Sequence, residues 1–426
     1  MKWTSEWHRD GALHFALGVE DTFVPQSRPG ERAIDEYELT EHYRHWHSDL
    51  GLAREAGATM LRWGIPWHRV NPERGRWDFE WLDRVMDRFA ELQLEPIIDL
   101  LHYGTPLWLE SEFAHPDYPE VVAEYAATVA ERYRGVARSF TPVNEPMIHA
   151  QFSGQYGYWP PYLTGQRGLA TMVEAIARGF VLTQQAIESA LGESAVFVHV
   201  DAGFRYVGAV AAREHSETVA LMDEQRYLVE DLVTGRVGHD HPLIDWLAEN
   251  GLSDGALDFF RSNPVMPDVM GVNYYPRHST EVFEPGVHHS GGFGDPRPTR
   301  DDGLEGLRDV LTTYAARYGV PVMLTETCVT GTIAERAEWL DASVAEVVAL
   351  AAGGLPIAGY TWWPVFDMYE WTWRHSQAAR KEHLLAMGLW SLEERAGDLV
   401  RVPTPLVAQF SALSARYGSP SRPSTI

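Results

Sequence analysis

Two short strings each set a glutamate at the end of an apolar run: Thr141-Pro142-Val143-Asn144-Glu145-Pro146 and Val322-Met323-Leu324-Thr325-Glu326-Thr327. A pair of carboxylates at one site, one holding a proton and one ionised, is the equipment for cleaving a glycosidic bond. A general acid must keep its proton near neutral pH, so Glu145 is expected where burial or a second carboxylate raises its pKa. Asn144 beside it can hydrogen-bond a hydroxyl next to the scissile bond, and Pro146 stops the strand. The plainer alternative is a strand-end glutamate that caps the following helix. Glu326 follows a strongly β-forming run and, as nucleophile, must be ionised and oriented by donors. Arg62, in Leu61-Arg62-Trp63-Gly64, and Tyr275, in Gly271-Val272-Asn273-Tyr274-Tyr275, stand at the ends of other apolar runs and can supply them. Either residue type at a strand end is also commonly structural.

Positioning these groups requires strands that end at one face. Apolar runs of strand length occur near 13–19, 59–65, 95–101, 138–143, 195–200, 268–273, 320–325 and 357–363. Most lack polar alternation, as strands buried on both faces do. Amphipathic helical patterns fall near 41–56, 79–92, 119–134, 168–191, 217–233, 303–318, 333–353 and 404–417. Eightfold strand–helix alternation predicts an α/β fold, a single (β/α)8 TIM barrel with parallel strands. The reading is one catalytic domain over 1–426, with 418–426 a loose tail. Three long insertions, 144–167, 274–301 and 364–389, follow strands and so belong to the face where barrel active sites are built. The second holds His288 and His289, a pair able to bind a metal but more simply part of a polar rim.

The 426 residues carry a formal charge of −25, which argues against nucleic acid and anionic membranes as partners. Aromatic residues make up 12%, with 16 Trp. Most should fill the barrel, and the surplus can line a site with flat faces for sugar rings. The lone Cys328 allows no internal disulfide. No run has the length of a membrane span and the first residues have no leader pattern, so the expected address is the cytoplasm.

The motifs together resemble glycoside hydrolase family 1, the retaining β-glucosidase and β-galactosidase family, over nearly the whole chain. Pro142-Val143-Asn144-Glu145-Pro146 is similar to the family's acid/base string, and Thr325-Glu326-Thr327-Cys328 to its nucleophile string. Arg62-Trp63-Gly64-Ile65-Pro66-Trp67, Gly271-Val272-Asn273-Tyr274-Tyr275 and Trp363-Pro364-Val365-Phe366-Asp367-Met368-Tyr369-Glu370-Trp371 resemble three further signatures. The resemblance implies that Glu145 is acid/base and Glu326 nucleophile, oriented by Arg62 and Tyr275. It implies that Asn144 holds the 2-hydroxyl, His102 reaches the 3-hydroxyl, Glu370 holds the 4- and 6-hydroxyls, Trp371 adds a donor and Trp363 forms a platform under the ring. The family's N-terminal glutamine, which holds the 3- and 4-hydroxyls, corresponds to Gln26 only with a one-residue offset. Glu20 and Asp21 compete for its place. Tyr103, Pro364, Met368 and Thr327-Cys328 also depart from the family pattern.

The implied activity is a retaining exo-β-glycosidase on an unphosphorylated β-glucoside or β-galactoside, since a carboxylate at Glu370 would repel a phosphate. It needs no metal or organic cofactor, and its partner is a small glycoside. A transglycosidase with the same glutamates and a sugar-binding barrel without turnover are the alternatives.

Overall fold

The computed structural model describes residues 6–26, 28–209, 216–283 and 298–418. His288, His289 and all of the proposed tail beyond Gly418 lie outside the described residues. Eight strands form a closed barrel: β1 (His14–Gly18), β2 (Met60–Gly64), β3 (Glu95–Asp99), β4 (Ser139–Thr141), β5 (Val196–Ala202), β6 (Val269–Asn273), β7 (Val322–Glu326) and β8 (Ile357–Trp362). Every neighbouring pair is parallel, and β1 closes the ring by pairing with both β8 and β2. The expected (β/α)8 barrel is therefore the fold.

The period of two along each strand sorts side chains into two cores. Ala16, Met60, Ile97, Val198, Val200, Val269 and Met323 pack inside the barrel, with Trp7 among them. Their strand neighbours, such as Leu17, Leu61, Trp63, Ile98, Met270, Val272 and Leu324, pack outward with the helices. Two residues beyond the interior apolar positions come polar ones: Arg62 after Met60, Asp99 after Ile97, Thr325 after Met323 and, four beyond Val269, Asn273. The inner line of each of these strands thus changes from apolar to polar toward its carboxyl end.

Helices His42–Glu55, Glu80–Leu92, Tyr118–Tyr133, Gly165–Leu191, Gly303–Tyr318, Ile333–Ala352 and Pro405–Tyr417 stand where the periodicity puts them. Leu82, Val85, Met86 and Phe89 of the second are buried, each contributing roughly 1.5–3 kcal/mol. Ile333–Ala352 starts with a capping box between Thr332 and Glu335. The helix expected over 217–233 is two, Ser216–Gln225 and Leu228–Val233. Two further helices before β6, Ile244–Glu249 and Asp254–Ser262, have no counterpart in the sequence reading, because they are too short for a clear apolar period. Among the described residues, no helix is long and apolar enough to cross a membrane.

Candidate active site

The chain beyond β4 stays in the barrel wall: the Asn144 N–H donates to Leu101 O at 2.9 Å and the Glu145 N–H to Val200 O at 3.0 Å. Glu145 then takes φ 42°, ψ 59°, in the left-handed region, ahead of the short helix Pro146–Ala150. A non-glycine residue there is strained by roughly 1–3 kcal/mol and persists only where its surroundings hold it. Its side chain makes no capping hydrogen bond, so the capping alternative fails. Instead Tyr103 OH donates to Oε2 at 2.5 Å and Asn273 Nδ2 to Oε1 at 2.9 Å. Asn273 is itself oriented by Thr325 Oγ1, which donates to its Oδ1 at 2.7 Å.

Glu326 is aimed by an irregularity. The β7–β6 register shifts between Leu324 and Glu326, which brings Glu326 opposite Asn273. Such a bulge re-aims the side chains that follow it. Arg62 Nη1 donates to Glu326 Oε1, and Tyr275 OH donates to Oε2 at 2.6 Å. Arg62 is wholly buried and also pairs with Asp99 through Nη2 at 2.7 Å. Burial opposes its charge, but Asp99 and Glu326 outweigh that and hold its pKa above the ordinary value. Burial pushes the Glu326 carboxyl up to about 8; Arg62 pulls against this, while the charge of Glu145 adds to it.

Glu145 and Glu326 line one cavity of about 350 Å³ with His102, Tyr275, Glu370 and Trp371. Glu370 sits at its mouth, with a side chain 49% exposed and held by Thr372 Oγ1 at 2.7 Å. The Trp371 indole N–H has no partner among the described residues. Besides Arg62, which orients Glu326 from behind, three expected sugar-binding residues are not on the cavity wall. Asn144 is fully buried behind it, its Oδ1 accepting from Arg62 Nη2 at 2.5 Å and its Nδ2 donating to Tyr103 OH at 3.2 Å. Trp363 is also behind it, stacked on His102 with centroids 5.5 Å apart and donating its Nε1 to Glu20 Oε2 at 2.9 Å. Gln26 is exposed and away from the cavity. The strand Phe23–Val24 pairs with Ile34–Asp35, and Arg374 holds Pro25 O at 2.6 Å, so the chain has left the barrel before Gln26. Glu20 lines the cavity in its stead.

Sequence reasoning missed several polar residues on the wall, Tyr103, Asn273, His278, Ser279 and Thr330. Asn273 was detectable, because it lies two residues before Tyr275 on the same side of an extended chain. The signal at Tyr103 was its departure from the family pattern. The apolar part of the wall, including Ile148, Phe152, Phe204, Leu385 and Met387, had no signal at all. Asp21, Asp99 and His102 lie close enough to share an ion. Asp99 already pairs with Arg62, however, and Asp21 Oδ1 with His102 Nδ1 at 2.8 Å.

The model of glycosyl hydrolase family 1 matches residues 7–192, and relatives of that family match most of the chain. Over the matched segment the chain resembles glycosyl hydrolase family 1. It is a glycoside hydrolase with distant relatives. It is 23% identical to beta-glucosidase A of Thermotoga maritima over 79% of this chain and 80% of the relative. It is likewise 23% identical to the aryl-phospho-beta-D-glucosidase BglH of Bacillus subtilis, over 77% and 76%. The solved beta-glucosidase from Thermotoga maritima in complex with glucoimidazole superposes with a TM-score of 0.79 at 18% identity, covering 96% of this chain and 99% of that one.

Proposed function

We propose that this glycoside hydrolase is a retaining exo-β-glycosidase acting on an unphosphorylated hexoside by double displacement. The observation that carries the reading is the facing pair: glutamates from the ends of β4 and β7 line one cavity, and of the two only Glu326 is bonded to a fixed cation among the described residues. The active form of the pair holds one proton. Arg62 and Tyr275 favour the anion on Glu326, which leaves the proton to Glu145. Glu326 attacks the anomeric carbon as Glu145 protonates the departing oxygen, giving a glycosyl ester. The ester removes the charge on Glu326, so Glu145, now ionised, becomes a competent base toward water. Attack of that water at the anomeric carbon releases the sugar with its β-configuration kept.

The strain at Glu145 fits this role, since it directs the carboxylate away from its own helix and toward Asn273. Exo action is supported by the closed inner end of the cavity at His102 and Glu20, and an apolar aglycone by Ile148, Phe152 and Phe204 on its wall. The aryl-phospho-beta-D-glucosidase relative is named for a phosphorylated sugar that this cavity does not favour, because four carboxylates line it and no Lys or Arg among the described residues does.

The test is a panel of aryl α- and β-glycosides with NMR observation of the first-formed sugar. A β-anomer from a β-substrate, with kcat reduced at least about a thousandfold in Glu326→Gln, is expected. An α-anomer formed first would overturn the assignment of both glutamates. Added alcohols report on transfer to an acceptor in the same experiment.

A further inference from the structure

Hydrolysis by the pair uses two of the carboxylates that face the cavity, and two more remain. Glu20 and Glu370 line the same space as Glu145 and Glu326. Among the described residues, the basic side chains on the wall are His102 and His278 only; burial lowers the pKa of His278, while against burial Asp21, Asp99 and Glu20 hold that of His102 well above its ordinary value. Arg62 lies behind the wall, occupied by Asp99 and Glu326. The remaining wall is rich in π faces, among them Tyr103, Tyr275 and Trp371. Four carboxylates and several ring faces around a partly enclosed space, set against the one imidazolium of His102, select for positive charge.

Glu20 is the more telling of the two. It is 6% exposed at the closed end of the cavity, with Oε1 3.9 Å from His102 Nε2. The Thr22 N–H donates to Oε1 at 3.1 Å and the Trp363 indole to Oε2 at 2.9 Å, so the group is held rigidly. A glutamine would present both a donor and an acceptor to a sugar; a carboxylate presents acceptors alone, and the ligand must bring every proton. Further acids crowd behind it. Burial, with Asp99 and Glu20 adding to it against the pull of His102, pushes Asp21 up to about 7, and burial with Glu20 drives Glu36 well above its usual range. An ammonium against Glu20 makes a charge-assisted hydrogen bond, roughly twice as strong as a neutral one.

We propose that the glycone of this enzyme carries a basic amino group, bound as an ammonium by Glu20. This rests on the glycosidase reading of the same cavity.

The experiment compares kcat/KM for p-nitrophenyl β-glucoside with that for the three analogues bearing an amine at C3, C4 or C6. At least one amine is expected to exceed the neutral sugar at least tenfold, and Glu20→Gln to lower that ratio at least tenfold. In the wild-type enzyme the ratio should also fall as pH rises through the amine's own pKa, which keeps the test open if the variant does not fold. The neutral glucoside being best of the four, or an amine preference untouched by Glu20→Gln and by pH, would overturn the proposal. Calorimetry of the free amino sugars against glucose separates the two readings. Amine-selective binding without cleavage of any glycoside sinks the glycosidase reading alone, whereas cleavage with no amine preference sinks this proposal alone.

Discussion

Glu326 ionises beside the charge of Glu145, and that proximity sets the pH response. Two coupled carboxyls lose their protons in steps that belong to the pair. Burial and the charge of Glu145 push the ionisation at Glu326 up to about 8, against Arg62 and Tyr275. The one-proton form therefore lasts to about pH 8, and kcat/KM should fall above it. With Glu145→Gln and a dinitrophenyl leaving group that needs no acid, the high-pH fall should vanish and the rate should level off once Glu326 is ionised. A fall that persists in this variant assigns it to another group. Tyr103 positions Glu145, the proposed acid/base, by its bond to Oε2. Tyr103→Phe should lower kcat/KM roughly tenfold, mostly through kcat, the size of one lost hydrogen bond to a charged group. It should also move the pH profile; an effect on KM alone would mean that Tyr103 only packs.

At the scale of elements, the site depends on how closely β1 and β8 approach. A Cβ on Gly18 would lie 1.7 Å from Cε3 of Trp363, so only glycine lets that indole reach Glu20 and stack on His102. Gly18→Ala should cost at least about 1–3 kcal/mol through overpacking and lower the Tm by several degrees, with loss of activity. Gly135→Ala, where a Cβ meets nothing within 4 Å, is the control and should leave both unchanged. The loop after β8 is pinned in the same manner. Asp367 accepts N–H bonds from Met387, Gly388 and Leu392, which carries Met387 onto the cavity wall.

For the whole molecule, the excess of acids burdens stability where one of them is buried. Glu112 is 5% exposed, its Oε1 has no partner among the described residues, and burial pushes its pKa up to about 8 from 4.5 despite Arg374 nearby. A carboxyl raised in the folded state favours folding only while protonated. Its contribution is complete below pH 4.5 and is lost as pH climbs to about 8. Glu112→Gln should therefore raise the Tm at pH 8, by an amount on the order of a few kcal/mol in stability, and change little at pH 4.5. Thermal melts at both values check the sign; an equal gain at both would point to a packing effect instead.

The sequence by itself determined the barrel, because eight apolar runs buried on both faces and separated by amphipathic helices leave few other ways to hide that surface. It also marked Glu145, Glu326, Arg62 and Tyr275, since strand ends of a barrel converge on one face whatever the loops do. Tertiary structure alone decided which groups reach the ligand. Gln26 was drawn outward by Arg374 and the Phe23–Val24 pairing, Asn144 and Trp363 were closed off behind the wall, and Glu20, Tyr103 and Asn273 were left on it. Those outcomes turn on shifts of one residue in register and on contacts between segments hundreds of residues apart, such as Glu20 with Trp363. A local pattern carries no record of them, because the energy of such a contact exists only once both segments have docked.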